Sequence, residues 1–220
     1  MIPPNMKIDR AETLRYMRMG TAEPDAILNE RLNRVEGEVL AACRPASYWR
    51  LETVSFGEIP GRIQIGPLSV QSCALARTLV GCRHAFLFCA TLGAGVDALL
   101  RRYSQISGAD ALMAQAAATA AIESYCDSCQ ETLLKEPAIA GEQLRMRFSP
   151  GYGDLPLETQ RPLLQILDSG RRAGIVLSDT MLMIPSKSVS AIIGVGTPLA
   201  SPPDSGCRSC SKVDCAYRKV

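Results

Sequence analysis

Histidine is nearly absent: the 220 residues contain one, His84. A serine or cysteine hydrolase that works through a histidine base has only this residue to use. It opens the apolar run AFLFCATL, where a lone histidine reads as a strand-start or surface residue. Any zinc site would have to rest on cysteine. Excess charge is missing as well. The formal net charge is +2, so the chain carries no electrostatic footprint for nucleic acid. Lysine is scarce, at five against 19 arginines. Arginine suits carboxylate and phosphate forks, but a GC-rich genome produces the same bias. No run approaches the roughly 18 apolar residues of a membrane span. The first twenty residues are charged throughout and hold no apolar signal core. Together these absences predict a soluble cytoplasmic protein with no membrane partner.

What the chain does have is apolar mass and cysteine. Hydrophobic residues make up 47%, enough for a real core, and there are nine cysteines. In a reducing compartment those cysteines read as reduced, buried or metal-bound rather than as a disulfide frame. Asp9 and Glu12 form a capping-box pattern for a first helix that Gly20 would stop. A second helix follows Pro24, with Leu28, Leu32, Val35, Val39 and Cys43 on one face. Residues 1–45 are therefore expected as an N-terminal helical arm. Residues 46–196 are expected as the main body, and 197–220 as a proline- and serine-rich linker with a cysteine-rich tail.

Within the body, residues 48–66 alternate as short strands, 69–80 read as a helix, and 85–92 as a buried strand. Helices are predicted over 94–106 and 109–135, the latter with Leu112, Thr119, Ile122, Cys126, Cys129 and Leu133 on one stripe. In QLRMRF, the residues Leu144, Met146 and Phe148 alternate against Arg145 and Arg147. A helix is expected near 157–168. Two or three strands follow, with PSKS as a turn between antiparallel neighbours. The mixture lacks a βαβ rhythm, so the expected fold class is α+β, an antiparallel sheet packed with helices.

Gly93, Gly95 and Ala98 match a dinucleotide-binding G-x-G-x-x-G/A pattern. That pattern needs an acidic residue at the end of the next strand, and Asp110 instead opens a helix. A strand-to-helix turn is the better reading. RMRFSPGYGDLP carries more chemistry. Arg147 offers a planar fork for a carboxylate. Pro150 stiffens the turn, and Gly151 and Gly153 clear space near the backbone. Tyr152 presents a π face that attracts cations. The set suits a small zwitterion carrying a carboxylate, a cation and a ring, such as S-adenosylmethionine; a structural turn with a packed tyrosine is the alternative.

RFSPGYGDLPLETQ is similar to the R-x-x-P-G-Y motif of the activation domain of cobalamin-dependent methionine synthase. SDTMLMIPSKSVSAIIGVG resembles that domain's later serine-rich strands, and CATLGAGVDALLRR with AAATAAIESYCDSCQE resembles its short stand-alone members. The resemblance implies that the protein binds S-adenosylmethionine and supports reductive methylation of cob(II)alamin on a separate methionine synthase or other corrinoid chain. An electron donor such as flavodoxin would serve it. By motif position, Arg147 would hold the ligand carboxylate and Ser149 a backbone contact, with Pro150 and Gly151 shaping the turn and Tyr152 near the methyl end. No side-chain acid or base is required, and catalysis would need the partner chain. The family's further strand, with its aromatic pair, is replaced after Gly196 by a linker. That departure supports the alternative of an interaction module of the same fold that no longer binds the ligand. Cys207, Cys210 and Cys215 form C-x-x-C-x-x-x-x-C, a pattern for zinc or an iron–sulfur cluster that lacks one ligand. Cys126 and Cys129 fall on an apolar helix stripe and read as core.

Overall fold

A computed structural model describes residues 6–19 and 23–197. Its elements in order are α1 (Arg10–Tyr16), α2 (Ala26–Ala42), β1 (Ala46–Phe56), β2 (Arg62–Ile65), β3 (Leu68–Gln71), α3 (Cys73–Thr78), β4 (Cys82–Thr91), α4 (Ala94–Ile106) and α5 (Gly108–Leu133). They continue with β5 (Gln143–Leu144), α6 (Gln160–Ile166), α7 (Ser169–Arg172), β6 (Val176–Leu177), β7 (Met183–Ile184) and β8 (Ser188–Gly196). Six strands form one antiparallel sheet in the order β3-β2-β1-β4-β8-β5, and β6 and β7 pair separately. The fold is the expected α+β arrangement.

The AFLFCATL run is explained by its place. Strand β4 lies between β1 and β8, and both of its faces are covered. Phe86, Phe88 and Ala90 enter a core built with α2, α4 and α5. Ala85, Leu87 and Cys89 enter a second core under α3 and α6. A strand buried on both faces reads as continuous rather than alternating. Burying each such large side chain contributes about 1.5–3 kcal/mol.

The N-terminal helices, expected as an arm, form part of that first core. Leu32, Val35 and Val39 are fully buried in it. Asp9 caps α1 and Asp25 caps α2, so Pro24 precedes the cap rather than sitting in the first turn. Arg10 binds Glu36 with two bonds, of 2.8 and 2.7 Å, and ties α1 to α2. The alanine-rich stretch of α5 buries Ala114, Ala117, Ala118 and Ala121, small residues that allow close packing against α1, α2 and α4. Leu112, expected on the buried stripe, is exposed, and Met113 is buried in its place.

Gly93 and Gly95 serve packing. A Cβ on Gly93 would lie 2.7 Å from Arg44 O, and one on Gly95 would lie 2.5 Å from Ala42 O. Gly93 also holds φ +87 as the N-cap of α4. Asp110 is bonded to Arg31 and Arg34 of α2. The glycine pattern is a strand-to-helix turn against the end of α2, in an antiparallel sheet.

Two predicted elements change. Residues 69–80 hold the edge strand β3 before the short helix α3, because Leu68 and Val70 alternate inward before Ser72 caps the helix. PSKS does not turn between paired neighbours: β7 pairs with β6, while β8 pairs with β4 and β5.

Candidate functional site

The site starts from a register change in QLRMRF. Arg145 N donates to Gly194 O at 2.8 Å, and Phe148 N donates to Ile192 O at 2.9 Å. Met146 and Arg147 therefore share the position opposite Ile193. This is a β-bulge, one extra residue that re-aims the side chains after it. Simple alternation would have kept Leu144, Met146 and Phe148 on one face. Instead Leu144 packs on the first core and Phe148 on the second. Met146 is half exposed. The arginines separate. Arg145 is buried and donates to Val80 O and Thr197 O. Arg147 turns to α5.

There it meets three side chains at i, i+4 and i+7 of one helix face. Nη2 donates to Glu123 Oε2 at 2.8 Å and Nη1 to Asp127 Oδ1 at 2.7 Å. Nη1 also donates to Gln130 Oε1. Burial opposes the arginine's charge, but the Asp127 hydrogen bond and the negative charges of Asp127 and Glu123 outweigh it. Its pKa rises above the ordinary arginine value.

The loop after the bulge is closed on itself. Tyr152 N donates to Ser149 O, Gly151 N to Leu155 O and Leu155 N to Tyr152 O. Gly151 (φ +90) and Gly153 (φ +55) hold left-handed turns. A Cβ on Gly153 would stand 2.9 Å from Ala74 Cβ. The glycines serve the turn and its seat on α3, and the Gly151 amide is already bonded. Asp154 locks this seat. Its carboxylate accepts from Cys73 N (2.8 Å), Ala74 N (3.1 Å) and Ser72 Oγ. The Ser72 hydroxyl bond, then the helix amides, draw its pKa below the usual carboxylate value. Held this way, Tyr152 packs edge-on against Phe148, with ring centroids 6.5 Å apart, and stays largely exposed.

These pieces wall a cleft of about 520 Å³. Glu123, Asp127 and Gln130 form one side, with Met146 and Arg147 beside them, and Ser149, Pro150 and Tyr152 form the rim. Ser188, Val189 and Ser190 of β8, with Gln160 and Met183, complete it. The volume falls in the range of small-molecule sites, about 300–1,000 Å³. It combines an ionic wall with apolar Met146, Pro150, Met183 and Val189. The structure thus brings Arg147, Ser149, Pro150 and Tyr152 to one cleft. Gly151 is not among the lining residues and serves the turn beside them. His84 does not line it.

The sequence reading missed Glu123, Asp127 and Gln130. Their spacing at i, i+4 and i+7 on one face of α5 was the available signal. The expected metal ligands Cys207, Cys210 and Cys215 lie outside the described residues. Cys126 and Cys129 are buried, and no group of potential metal ligands occurs among the described residues. No helix of the described residues is long and apolar enough to cross a membrane.

Known proteins resemble the chain in sequence and in fold. Residues 82–200, more than half of the chain, match the family described as vitamin B12 dependent methionine synthase, activation domain. Among solved structures, the chain is similar to the MetH reactivation domain bound to AdoHcy. That match has a TM-score of 0.62 and 19% identity, and covers 89% of this chain and 75% of that one. At this identity the likeness shows the fold. No curated protein sequence matches the chain.

Proposed function

The chain belongs to the vitamin B12 dependent methionine synthase activation-domain family, and from that premise we propose that its cleft binds S-adenosylmethionine and presents the methyl group to a corrinoid on a separate chain. The observation that carries this reading is the meeting of Arg147 with two carboxylates and the exposed Tyr152 ring around one cleft. A methyl donor with a carboxylate, an ammonium and a sulfonium finds opposite charges for each.

In this reading Arg147 exchanges one of its α5 partners for the ligand carboxylate. Glu123 and Asp127 face the ligand's cations. The Ser149 backbone and Pro150 bound the ligand on the rim, Gly151 sets the turn, and Tyr152 offers a π face at the open end. The protein's contribution is orientation and exclusion of water. The chemistry belongs to the methyl donor and to the cobalamin of a methionine synthase or other corrinoid protein, reduced by an electron donor such as flavodoxin. The setting is cytoplasmic. Nothing in the cleft needs to act as acid or base, which suits a chain with one histidine. Cys207, Cys210 and Cys215 belong to this proposal as a metal site, zinc or an iron–sulfur cluster. Iron, sulfide and zinc analysis of anaerobically purified protein tests it, and finding none of the three removes it.

A second reading has its own observation: Arg147 already gives three of its five donors to Glu123, Asp127 and Gln130. An interaction module that had lost its ligand would hold its arginine this way. Titration with S-adenosylmethionine, with and without a cobalamin-loaded methionine synthase, separates the two. Binding in either case supports the first reading, and binding in neither supports the second.

A further inference from the structure

Three of the eight methionines, Met146, Met181 and Met183, line the cleft or a second cavity of about 440 Å³ beside it. Gln160 and Met183 line both spaces. Gln160 is buried and fixed: its Nε2 donates to Met181 O at 3.0 Å, and its Oε1 accepts from Ser190 Oγ at 3.4 Å. Met183, an unbranched thioether, is the adaptable part of the shared wall. Met146 is half exposed because the bulge takes it out of the strand's alternation. Met181 lines only the second cavity, and its sulfur accepts from Arg161 Nη2 at 3.7 Å. Met6 and Met113, by contrast, are buried in the first core.

We infer that Met146 and Met183 form a reversible oxidation site, at which a peroxide weakens the cleft's hold on its ligand by turning two thioethers into sulfoxides. The inference rests on the binding reading above. In the step, the lone pair of the thioether sulfur attacks one oxygen of hydrogen peroxide. The O–O bond breaks, the sulfur is oxidised by two electrons to S=O, and the peroxide is reduced to water. Met146 and Met183 are reached through the cleft, whereas Met6 and Met113 are enclosed. The consequence follows from what the pair builds. Met146, Pro150, Met183 and Val189 make the cleft's apolar wall. A sulfoxide is polar and chiral at sulfur, and it disrupts an apolar surface. A ligand packed on that wall then covers an acceptor that had bonded to water, which weakens binding roughly ten-fold. A methionine sulfoxide reductase reverses the change: the sulfoxide takes two electrons and two protons from thiols, releases water and returns to the thioether.

The test is peptide mass mapping and calorimetric titration of the full chain before and after hydrogen peroxide, with a thiol reductant added afterwards to undo reversible cysteine oxidation. Met146 and Met183 should oxidise well ahead of Met113, and bound S-adenosylmethionine should slow both. Oxidation of the pair should weaken S-adenosylmethionine binding about ten-fold, and methionine sulfoxide reductase should restore the starting value. The double variant Met146→Leu, Met183→Leu keeps every thiol and every other methionine. Whatever its starting affinity, peroxide should leave that value where it began, and each single leucine variant should lose part of the response. Full oxidation of both residues with no change in affinity, or an equal loss in the double variant, would overturn the inference and leave the binding reading in place. Oxidation of the pair no faster than that of Met113 would overturn it as well. Absence of binding by the untreated protein, alone and with a cobalamin-loaded partner, would remove both.

Discussion

Asp127 Oδ1 stands 2.7 Å from Arg147 Nη1, and this pair joins the longest helix to the bulged strand that leads into the PGYGD loop. With Glu123 and Gln130 it makes a fork-and-acid network rather than an isolated pair. An isolated exposed pair contributes about 0–1 kcal/mol. The network's weight is therefore in geometry: it fixes where the guanidinium sits before any ligand arrives.

The loop is fixed from its other end by Asp154. Replacing it with asparagine removes the charge that accepts from Ser72 and from the Cys73 and Ala74 amides. Asp154→Asn should lower the melting temperature at pH 7 and weaken ligand affinity through a looser Tyr152. The pH dependence has a defined sign. The folded-state pKa is lowered, so the contribution is complete above the unfolded carboxylate value of about 4. It is lost as the pH falls through the lowered folded-state value. Melting curves from pH 7 to pH 3 should show the wild-type advantage shrinking in acid. An advantage that stays constant would show that the aspartate charge plays no part.

Gly153 and Gly174 form a matched pair for testing the turn. Both have positive φ, +55 and +68. A Cβ at Gly174 meets nothing within 4 Å, while one at Gly153 lies 2.9 Å from Ala74. Gly174→Ala should cost only backbone strain, about 1 kcal/mol. Gly153→Ala should cost more, about 2–3 kcal/mol, because it also pushes the loop off α3. Denaturant melts compare the two, and equal costs would contradict the packing role.

Thiol reactivity follows burial. Desolvation pushes Cys43 up to about 11 and Cys89 up to about 12. It moves Cys82, Cys126 and Cys129 upward as well. Cys73 is exposed. In a variant with serine at positions 207, 210 and 215, a disulfide reagent at pH 8 should label Cys73 quickly and the other five thiols only on unfolding. Fast labelling of Cys126 or Cys129 would contradict their place in the core.

Asp110 holds α5 to α2 through Arg31 at 2.8 Å and Arg34 at 3.1 Å, and the residue is 8% exposed. Asp110→Asn should destabilise the fold by about 1–3 kcal/mol. It should leave ligand affinity unchanged in the folded protein, because Asp110 does not line the cleft. A specific loss of affinity would count against this assignment.

The legible parts of the sequence were those governed by one period. Helix α4 matches its predicted span, α5 begins one residue early and ends two short, and β4 was visible as an apolar run. The R-x-x-P-G-Y motif located the cleft's rim. Strand β3 was lost because SVQSCALARTLV changes period in the middle, and only Ser72 marks the boundary. The bulge was invisible because Met146 and Arg147 obey strand alternation as written; the extra residue shows only against Ile193 on another strand. That single residue separates Arg145, buried beside Thr197, from Arg147, in the cleft. The acids of α5 were hidden for a related reason. Their partner lies 20 to 24 positions away, and nothing local connects them to it.

The central claim is that Arg147 is the ligand's anchor and not merely a strut for α5. Calorimetric titration of the wild type and of Arg147→Ala with S-adenosylmethionine, with thermal melts alongside, tests it most directly. The account predicts saturable one-to-one binding by the wild type and at least a ten-fold loss in the variant, about 1.4 kcal/mol or more, while the variant remains folded. Binding of undiminished affinity by a folded Arg147→Ala protein would contradict it.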